Sequence, residues 1–395
     1  MAFRYEEKQN YGMKVGIIGA SAAGLYTAIL VAKRHPDYRV VVLEKNDKAG
    51  KKLLATGNGH CNLFNLSFSG NAFNHPEFVN TLLNKYSVSD LLATFRELGI
   101  STIEKDGLLY PLSFSAAAHV RYLVTLAESL GVQFRYGERV VGINGPQVTT
   151  DKNVYSFDKL VYAFGGKSQA NLGSDGSMFL LLSKKGYHLV EQEPSLCPLK
   201  SPEVPKSLFG IRHKCELWLT KENMTLYHEI GEVLFKKDGL SGIAIMNASS
   251  RYEKGASVRI DLFPELSEKE LYENLCRSYR ANQREFLAAV LERPLEEFIL
   301  QKSNISCKTA IKESDISKIC SVLKSLQFRI SGKYGFESSQ VTRGGIDLRE
   351  VGENLESKLE PNVFFTGECL DIDGLCGGYN LGWALLSSKV VAGAL

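Results

Sequence analysis

The hexapeptide Gly19-Ala20-Ser21-Ala22-Ala23-Gly24 constrains this chain more than any other stretch. It follows the short apolar run Lys14-Val15-Gly16-Ile17-Ile18 and opens a segment of helix formers, Ala22 to Arg34. In that segment Leu25, Ile29 and Ala32 are spaced for one face. His35-Pro36-Asp37 ends the helix, because proline disfavours α geometry in the residue before it. Arg39-Val40-Val41-Val42-Leu43 is then a continuous apolar strand of the kind a parallel sheet buries on both faces. Strand, tight turn, helix and strand in this order make a βαβ unit. The first and last glycines serve the tight bend and the close helix–strand packing that a dinucleotide pyrophosphate site needs. The middle glycine of G-x-G-x-x-G is Ser21 here, whose hydroxyl can itself donate to a phosphate. Glu44 ends the second strand twenty residues beyond Gly24, where a carboxylate accepts from ribose hydroxyls. A bare turn without a ligand explains the glycines alone; strand, helix, strand and acid together favour a dinucleotide.

Two more glycine-rich stretches extend the case. Gly50-Lys51-Lys52-Leu53-Leu54-Ala55-Thr56-Gly57-Asn58-Gly59-His60-Cys61-Asn62 comes directly after the ribose acid. Such a loop is costly to order, since glycine loses the most conformational freedom on folding. A solvated loop is the alternative, but its place after Glu44 points to a ligand. Near the other end, Asn362-Val363-Phe364-Phe365-Thr366-Gly367-Glu368 reads as an apolar strand running into a small-residue turn and an acid. Asp371-Ile372-Asp373-Gly374-Leu375-Cys376-Gly377-Gly378-Tyr379-Asn380 then leads into a last helix from about Tyr379. Glycines before a helix N-terminus leave backbone N–H groups facing a ligand, where the helix dipole favours negative charge. The bland alternative is a loop that merely closes the fold.

The rest of the chain places these stretches. Its 395 residues allow two or three domains. From Gly131 to Ala163 short strands (Val132 to Tyr136, Val140 to Ile143, Leu160 to Ala163) alternate with turns such as Asn144-Gly145-Pro146, and read as an antiparallel meander returning to the sheet. The pattern changes near Glu193-Pro194. Cys215, Leu217 and Leu219 alternate with Lys214, Glu216 and Thr220 before a Lys221-Glu222-Asn223 turn. From Pro264 the period is helical: Ser267 and Glu270 form a capping-box pattern, and Ile316, Ile319, Cys320 and Leu323 share a helix face. The expected organisation is a flexible extension over 1–12, a discontinuous dinucleotide domain over 13–192 and 336–395, and an inserted domain over 193–335. The insert is expected to be β-rich over 193–263 and helical over 264–335.

Composition excludes several classes. With 47 basic and 44 acidic residues, and lysine pairs scattered at 51–52, 184–185 and 236–237, the chain lacks the basic stripe of a nucleic-acid binder. No apolar run approaches the roughly 18 residues of a membrane span. Met1 to Asn10 is charged and polar, unlike a secretory signal, so the expected compartment is the cytoplasm. Eight cysteines without a C-x-x-C pair fit reduced thiols. His60-Cys61 and His213-x-Cys215 lack a second pair at ligand spacing, so no metal is expected.

The turn at Gly19 to Gly24 is joined by "GKKLLATGNGHCN" at 50–62, "GLLYP" at 107–111, "GEVLFKKDGLSG" at 231–242, "VTRGGIDL" at 341–348 and "FTGECLDIDGLCGGYNLGWA" at 365–384. On these motifs the chain resembles, end to end, the HI0933-like flavoproteins, FAD-dependent oxidoreductases with BaiN-type and aminoacetone-oxidase-type members. The resemblance implies an α/β fold, a glutathione-reductase-like FAD-binding Rossmann domain with an inserted β-barrel and helical domain. It implies non-covalent FAD whose pyrophosphate lies on the turn at Gly19, Ser21, Ala22, Ala23 and Gly24. The adenosine ribose would meet Glu44, with Lys45 and Lys52 near the dinucleotide and Val140 meeting the adenine through its backbone. Thr56, Gly57 and Asn58 would approach the flavin, and Gly165 would lie beside the cofactor in Ala163-Phe164-Gly165-Gly166. Gly367, Glu368 and Asp373 would hold the ribityl chain and pyrophosphate, and Gly378, Tyr379 and Asn380 would face the isoalloxazine. The chain departs from the pattern at Ser21, at Phe164, where related flavoproteins often have threonine, and at His60, where arginine is commoner.

A flavin carries the redox chemistry itself, so catalytic side chains leave little trace in a sequence. Tyr379, His60 and Arg343 are the candidates for facing a substrate, Arg343 because a guanidinium pairs bidentately with a carboxylate. Packing, or plain surface charge, is the alternative for each. Cys61, Cys369 and Cys376 read as small packed residues. Gly165-Gly166 and Gly173-x-x-Gly176 lack the spacing of a second fingerprint, so no resident nicotinamide domain is expected. Three readings stay open. One is a reductase of a small organic substrate with NAD(P)H as a transient donor. The second is an oxidase of a small amine that uses oxygen. The third is a flavin-binding sensor or assembly protein without turnover. A large insert over the flavin suits an enclosed small-molecule pocket and favours an enzyme. Neither nucleic acid nor membrane is an expected partner.

Overall fold

The computed structural model describes residues 12–222, 224–306 and 310–395. Residues 1–11 of the expected extension, Asn223 of the expected turn and Cys307 lie outside the described residues. The chain forms two compact units, Met1–Glu193 with Val341–Leu395, and Pro194–Gln340. Among the described residues no helix is long and apolar enough to cross a membrane.

The first unit is an α/β structure. Its framework runs β1 (Lys14–Ile18), α1 (Ala22–Arg34), β2 (Arg39–Glu44), α2 (Ala116–Ser129), β3 (Gln133–Tyr136), β4 (Lys159–Tyr162), β5 (Val363–Phe365) and α3 (Tyr379–Ala394). The five strands make one all-parallel sheet in the order β5-β4-β1-β2-β3. The inner strands β1 and β2 are buried almost throughout, which is why they read as unbroken apolar runs. The C-terminal β5 pairs with β4, so both ends of the chain build one layer. α3 is buried on nearly every side and packs against α1, where Ser388 Oγ donates to the Ala23 carbonyl at 2.9 Å.

The expected meander is corrected. Gln133–Tyr136 belongs to the main sheet, parallel to β2. The meander is instead Val140–Asn144, Gln147–Thr150 and Val154–Ser156, a separate three-stranded sheet. The reason is position: β3 is the sheet's edge and only half-buried, so it lacks the apolar run of an inner parallel strand.

The second unit is built on a seven-stranded antiparallel sheet. Its edge strands, Leu326–Arg329 and Gly332–Lys333, are consecutive in the chain, with only Ile330 and Ser331 between them. Such a link reaches roughly 10 Å, whereas seven flat strands span about 29 Å. The sheet therefore curls until its edges approach, as in a barrel. Glu268–Ala281, Arg293–Lys302 and Ile316–Lys324 are helices, and the box at Ser267 is formed: its hydroxyl accepts the Glu270 N–H at 3.2 Å and the Glu270 carboxylate accepts the Ser267 N–H at 2.8 Å. The helical expectation for 264–335 fails at its end. There Leu326 and Phe328 are buried and Gln327 and Arg329 exposed, a period of two that returns the chain to the sheet. A short helix, Ile243–Ser249, also interrupts the β-rich part.

Gly24 lets α1 sit on β1: a Cβ there would lie 1.9 Å from the Gly19 carbonyl oxygen, a backbone atom that cannot move aside cheaply. Gly24→Ala is expected to destabilise the protein by about 3 kcal/mol, read as a lower thermal unfolding midpoint. An unchanged midpoint would contradict this packing.

Candidate dinucleotide site

Gly19, at φ +104°, turns the chain from β1 into α1. Ser21 is the N-cap in extended conformation, yet its side chain makes no capping bond and the first turn holds no acid. Two other helices carry full capping boxes, at Ser87–Asp90 and Ser267–Glu270, although several, such as Ser177–Lys184 and Ile243–Ser249, also start without a side-chain cap. At α1 the N–H groups of Ala22, Ala23 and Gly24 are left without that cover, at the positive end of the helix dipole. Gly19, Ser21, Glu44, Lys45 and Val140 line the pocket in front of them. Phosphate suits such a helix start.

Glu44 is buried at the pocket wall and held by the backbone. Its Oε2 accepts the Ala20 N–H at 2.8 Å, and its Oε1 accepts the Asn46 N–H and Nδ2, both at 2.8 Å. These bonds aim the carboxylate and leave acceptor capacity for a ribose hydroxyl. Lys45 is committed to a protein partner. Its Nζ lies 2.7 Å from Asp175 Oδ1, while Arg139 Nη1 lies 2.8 Å from Asp175 Oδ2. Burial alone would raise the Asp175 carboxyl, but hydrogen bonds from Lys45, Arg139 and Ser177 outweigh it and hold it well below the usual range.

A second uncapped helix start belongs to α3. Gly378, at φ +84°, is its N-cap, again without a side-chain bond and without a first-turn acid. Tyr379 packs its ring against Phe68 and Phe73, with centroids 6.2 and 6.1 Å away. The Asn380 side chain is bonded within its own loop. Its Oδ1 accepts the Gly374 N–H at 2.9 Å and its Nδ2 donates to the Gly374 carbonyl at 2.9 Å, so it shapes its own loop. Gly367 is buried, donating to Ser387 Oγ and accepting from Trp383 Nε1, both at 3.0 Å.

Lys52 and Glu368, both expected at the cofactor, pair with each other at 2.7 Å across 316 residues of sequence. Glu368 Oε1 also accepts the Thr342 N–H at 2.8 Å. Gly165, at φ +78°, turns the loop after β4. Its neighbour Gly166 has no room for a side chain, since a Cβ would stand 2.8 Å from Glu368 Oε1.

Asn74 and His75 join the site without a sequence motif to mark them, and they meet Asp371, the first residue of the glycine-rich stretch before α3. Asp373 donates its N–H to Asn74 Oδ1 at 2.9 Å, and the Asn74 N–H returns to the Asp373 carbonyl at 3.1 Å. The Asp371 carboxylate accepts from His75 Nε2 at 2.8 Å, Asn74 Nδ2 at 3.1 Å and the Gly344 N–H at 3.0 Å. This clamp fixes the loop that carries Asp373. Its only sequence signal is Asn74-His75-Pro76, an ordinary turn pattern.

Thr56 donates its hydroxyl to the Leu53 carbonyl at 2.7 Å. Gly57 and Asn58 are consecutive left-handed residues, at φ 55° and 51°, both exposed. A non-glycine residue held there is a strained feature of the kind found at ligand loops. His60 is exposed and bonds through Nδ1 to the Phe114 carbonyl at 3.0 Å, so its ring is committed to that neighbouring loop. Arg343 is half-buried between Thr342 and Gly344, whose N–H groups hold Glu368 and Asp371. Cys61 and Cys369 are buried, and burial pushes their thiols up to about 11 and about 12. Neither is a nucleophile at neutral pH.

Glu368→Gln is expected to cost about 3 kcal/mol, because it strands a largely buried Lys52. Adding Lys52→Met should recover part of that loss, so a double-mutant cycle in denaturant should show clear non-additivity. Strictly additive effects would contradict the pairing.

The family model described as the HI0933-like protein Rossmann domain matches residues 13–394. The chain is 31% identical over 392 residues to the 3-dehydro-bile acid delta(4,6)-reductase of Clostridium scindens, covering 94% of this chain and 96% of that protein. It is 30% identical over 393 residues to the ribosomal RNA dihydrouridine synthase of Escherichia coli, covering 95% and 96%. The enzyme of the same description from Haemophilus influenzae is 26% identical over 393 residues, with 95% and 96% covered. The chain belongs to the HI0933-like family, the Rossmann-fold flavoprotein oxidoreductases that its motifs resemble.

Proposed function

We propose that this chain is an FAD-dependent oxidoreductase that saturates a carbon–carbon double bond conjugated to a carbonyl in a small organic molecule, with NAD(P)H as the electron donor. The observation that carries the reading is the uncapped start of α1 opening on the same pocket as Glu44. Pyrophosphate donors and a ribose acceptor side by side suit a dinucleotide. The second uncapped start, at α3, suits the electron-rich edge of a flavin. FAD, when bound, supplies the hydride chemistry. The chain's own residues bind it, orient it and hold the surrounding loops.

The reaction class is supported by the full-length relatives. One is named as a reductase of a 3-dehydro-bile acid, with double bonds in reach of a keto group. The others are named for making dihydrouridine, which is uridine with the ring double bond beside its carbonyl saturated. Both changes add one hydride and one proton across a carbonyl-polarised double bond. The two dihydrouridine synthases favour a second reading, in which the double bond belongs to uridine in ribosomal RNA. The near balance of 47 basic and 44 acidic residues supports the small molecule instead, because RNA binding leans on a basic surface.

The test is anaerobic incubation of the FAD-loaded protein with NADH or NADPH and either a conjugated enone or uridine-containing RNA. The expected result is nicotinamide oxidation that depends on the enone, with a product gaining one hydride and one proton. Turnover with RNA alone would move the substrate to the second reading. Indifference to both nicotinamides, with the flavin reduced instead by a small amine and oxygen consumed once air is admitted, would overturn the proposal.

A further inference from the structure

Residues 163–176 connect β4 to the helix Ser177–Lys184 with one turn of 3-10 helix, Ala170–Leu172, as regular structure. The later part of the loop, Leu172 to Gly176, lies on the wall of the dinucleotide pocket. A long irregular loop costs conformational entropy to hold in place. At its start the N–H groups of Lys167 and Ser168 donate to Thr342 Oγ1 at 2.7 and 3.0 Å. At its far end the anchor is Asp175. Lys45 Nζ reaches its Oδ1 at 2.7 Å and Arg139 Nη1 its Oδ2 at 2.8 Å, while Ser177 adds its N–H and hydroxyl to Oδ1 at 3.0 and 2.7 Å.

The three charged residues come from three segments around one opening. Lys45 follows the ribose acid Glu44 at the end of β2, and Arg139 precedes Val140 between β3 and the meander. Asp175 joins them from the loop. Each cation lining the pocket has an acidic partner: Lys45 and Arg139 share Asp175, Lys51 pairs with Asp47 at 2.7 Å and Lys52 with Glu368 at 2.7 Å.

We propose that Asp175, gripping Lys45 and Arg139 together, is an ionic latch that holds this loop across the adenosine end of the pocket and slows the departure of a bound dinucleotide. The proposal rests on the FAD reading above. It carries a specificity consequence. With its cations neutralised, the surroundings of Glu44 accept a ribose hydroxyl and offer nothing to a ribose phosphate. Asp175 is thus a positioning and specificity-determining residue, for it acts through Lys45, Arg139 and the loop.

The test follows FAD release from loaded wild-type protein, Asp175→Asn and the double variant Lys45→Gln/Arg139→Gln, read as the rise of free-flavin fluorescence after dilution at low and high salt. Both variants should release FAD about tenfold faster, the size expected for losing a charge-assisted hydrogen bond. Salt should speed release from the wild type by screening the partly exposed pairs, and should do so less in the double variant. Asp175→Asn, with two cations unbalanced, should also gain binding of adenosine 2′-monophosphate; the double variant should not. Thermal unfolding of the FAD-free proteins shows whether each variant is folded, and the two variants remove the latch from opposite sides. Release at the wild-type rate by folded variants of both kinds would overturn the latch alone. A wild-type protein that takes up no FAD would overturn the functional reading and the latch with it.

Discussion

Ala23 on the first helix meets Gly367 and Ser388 near the end of the chain, and the first unit depends on that contact. Ser388 Oγ donates to the Ala23 carbonyl at 2.9 Å, and any side chain at Gly367 would place its Cβ 2.7 Å from the Ala23 methyl. Small residues on both sides let α1 and α3 pack closely. Both helices begin without caps and without first-turn acids. The βαβ unit alone offers one helix start; with the C-terminal strand and helix in the same layer, the unit has two. Pro194–Gln340 is a compact unit of its own, so its length in sequence does not prevent the ends from meeting.

Charge around the site is arranged in closed pairs. Asp175 takes two cations and Glu368 takes Lys52, while Asp371 is hydrogen-bonded by His75, Asn74 and the Gly344 N–H. Each pair joins segments far apart in the chain, and each involves a group partly removed from water, where an unpaired charge is costly. The consequence is a site whose shape is set by protein–protein bonds, with the starts of α1 and α3 left without side-chain caps. The buried, weakly acidic thiols of Cys61 and Cys369 fit the same picture, because they contribute packing and no charge.

What could be read from the sequence was local. The Gly19 to Gly24 turn, the buried runs of β1 and β2, Glu44 at the strand end and the Ser267 capping box all depend on residues within a few positions of each other. The remainder depends on tertiary position. Edge strand β3 resembles any half-exposed strand, and Leu326–Arg329 is a short strand that follows a helix with no turn signal between them. Nothing in the sequence around Lys52 or Glu368 marks the other as its partner, 316 residues away. Asn380 lies in the expected loop, but which way its amide turns is decided by Gly374, six residues earlier. Asp175, Asn74 and His75 stand in segments whose composition is that of ordinary turns.

The central claim is that the pocket in front of α1 binds a dinucleotide through its adenosine half, and comparison of FAD with FMN tests it most directly. FMN has the same flavin and one phosphate but lacks the adenosine that the account assigns to Glu44 and the residues lining the pocket with it. Titrating the cofactor-free protein with each, followed by quenching of flavin fluorescence, should show FAD binding far more tightly than FMN, with Glu44→Ala removing most of the difference. FMN binding as tightly as FAD, or a preference for FAD that survives Glu44→Ala intact, would contradict the account.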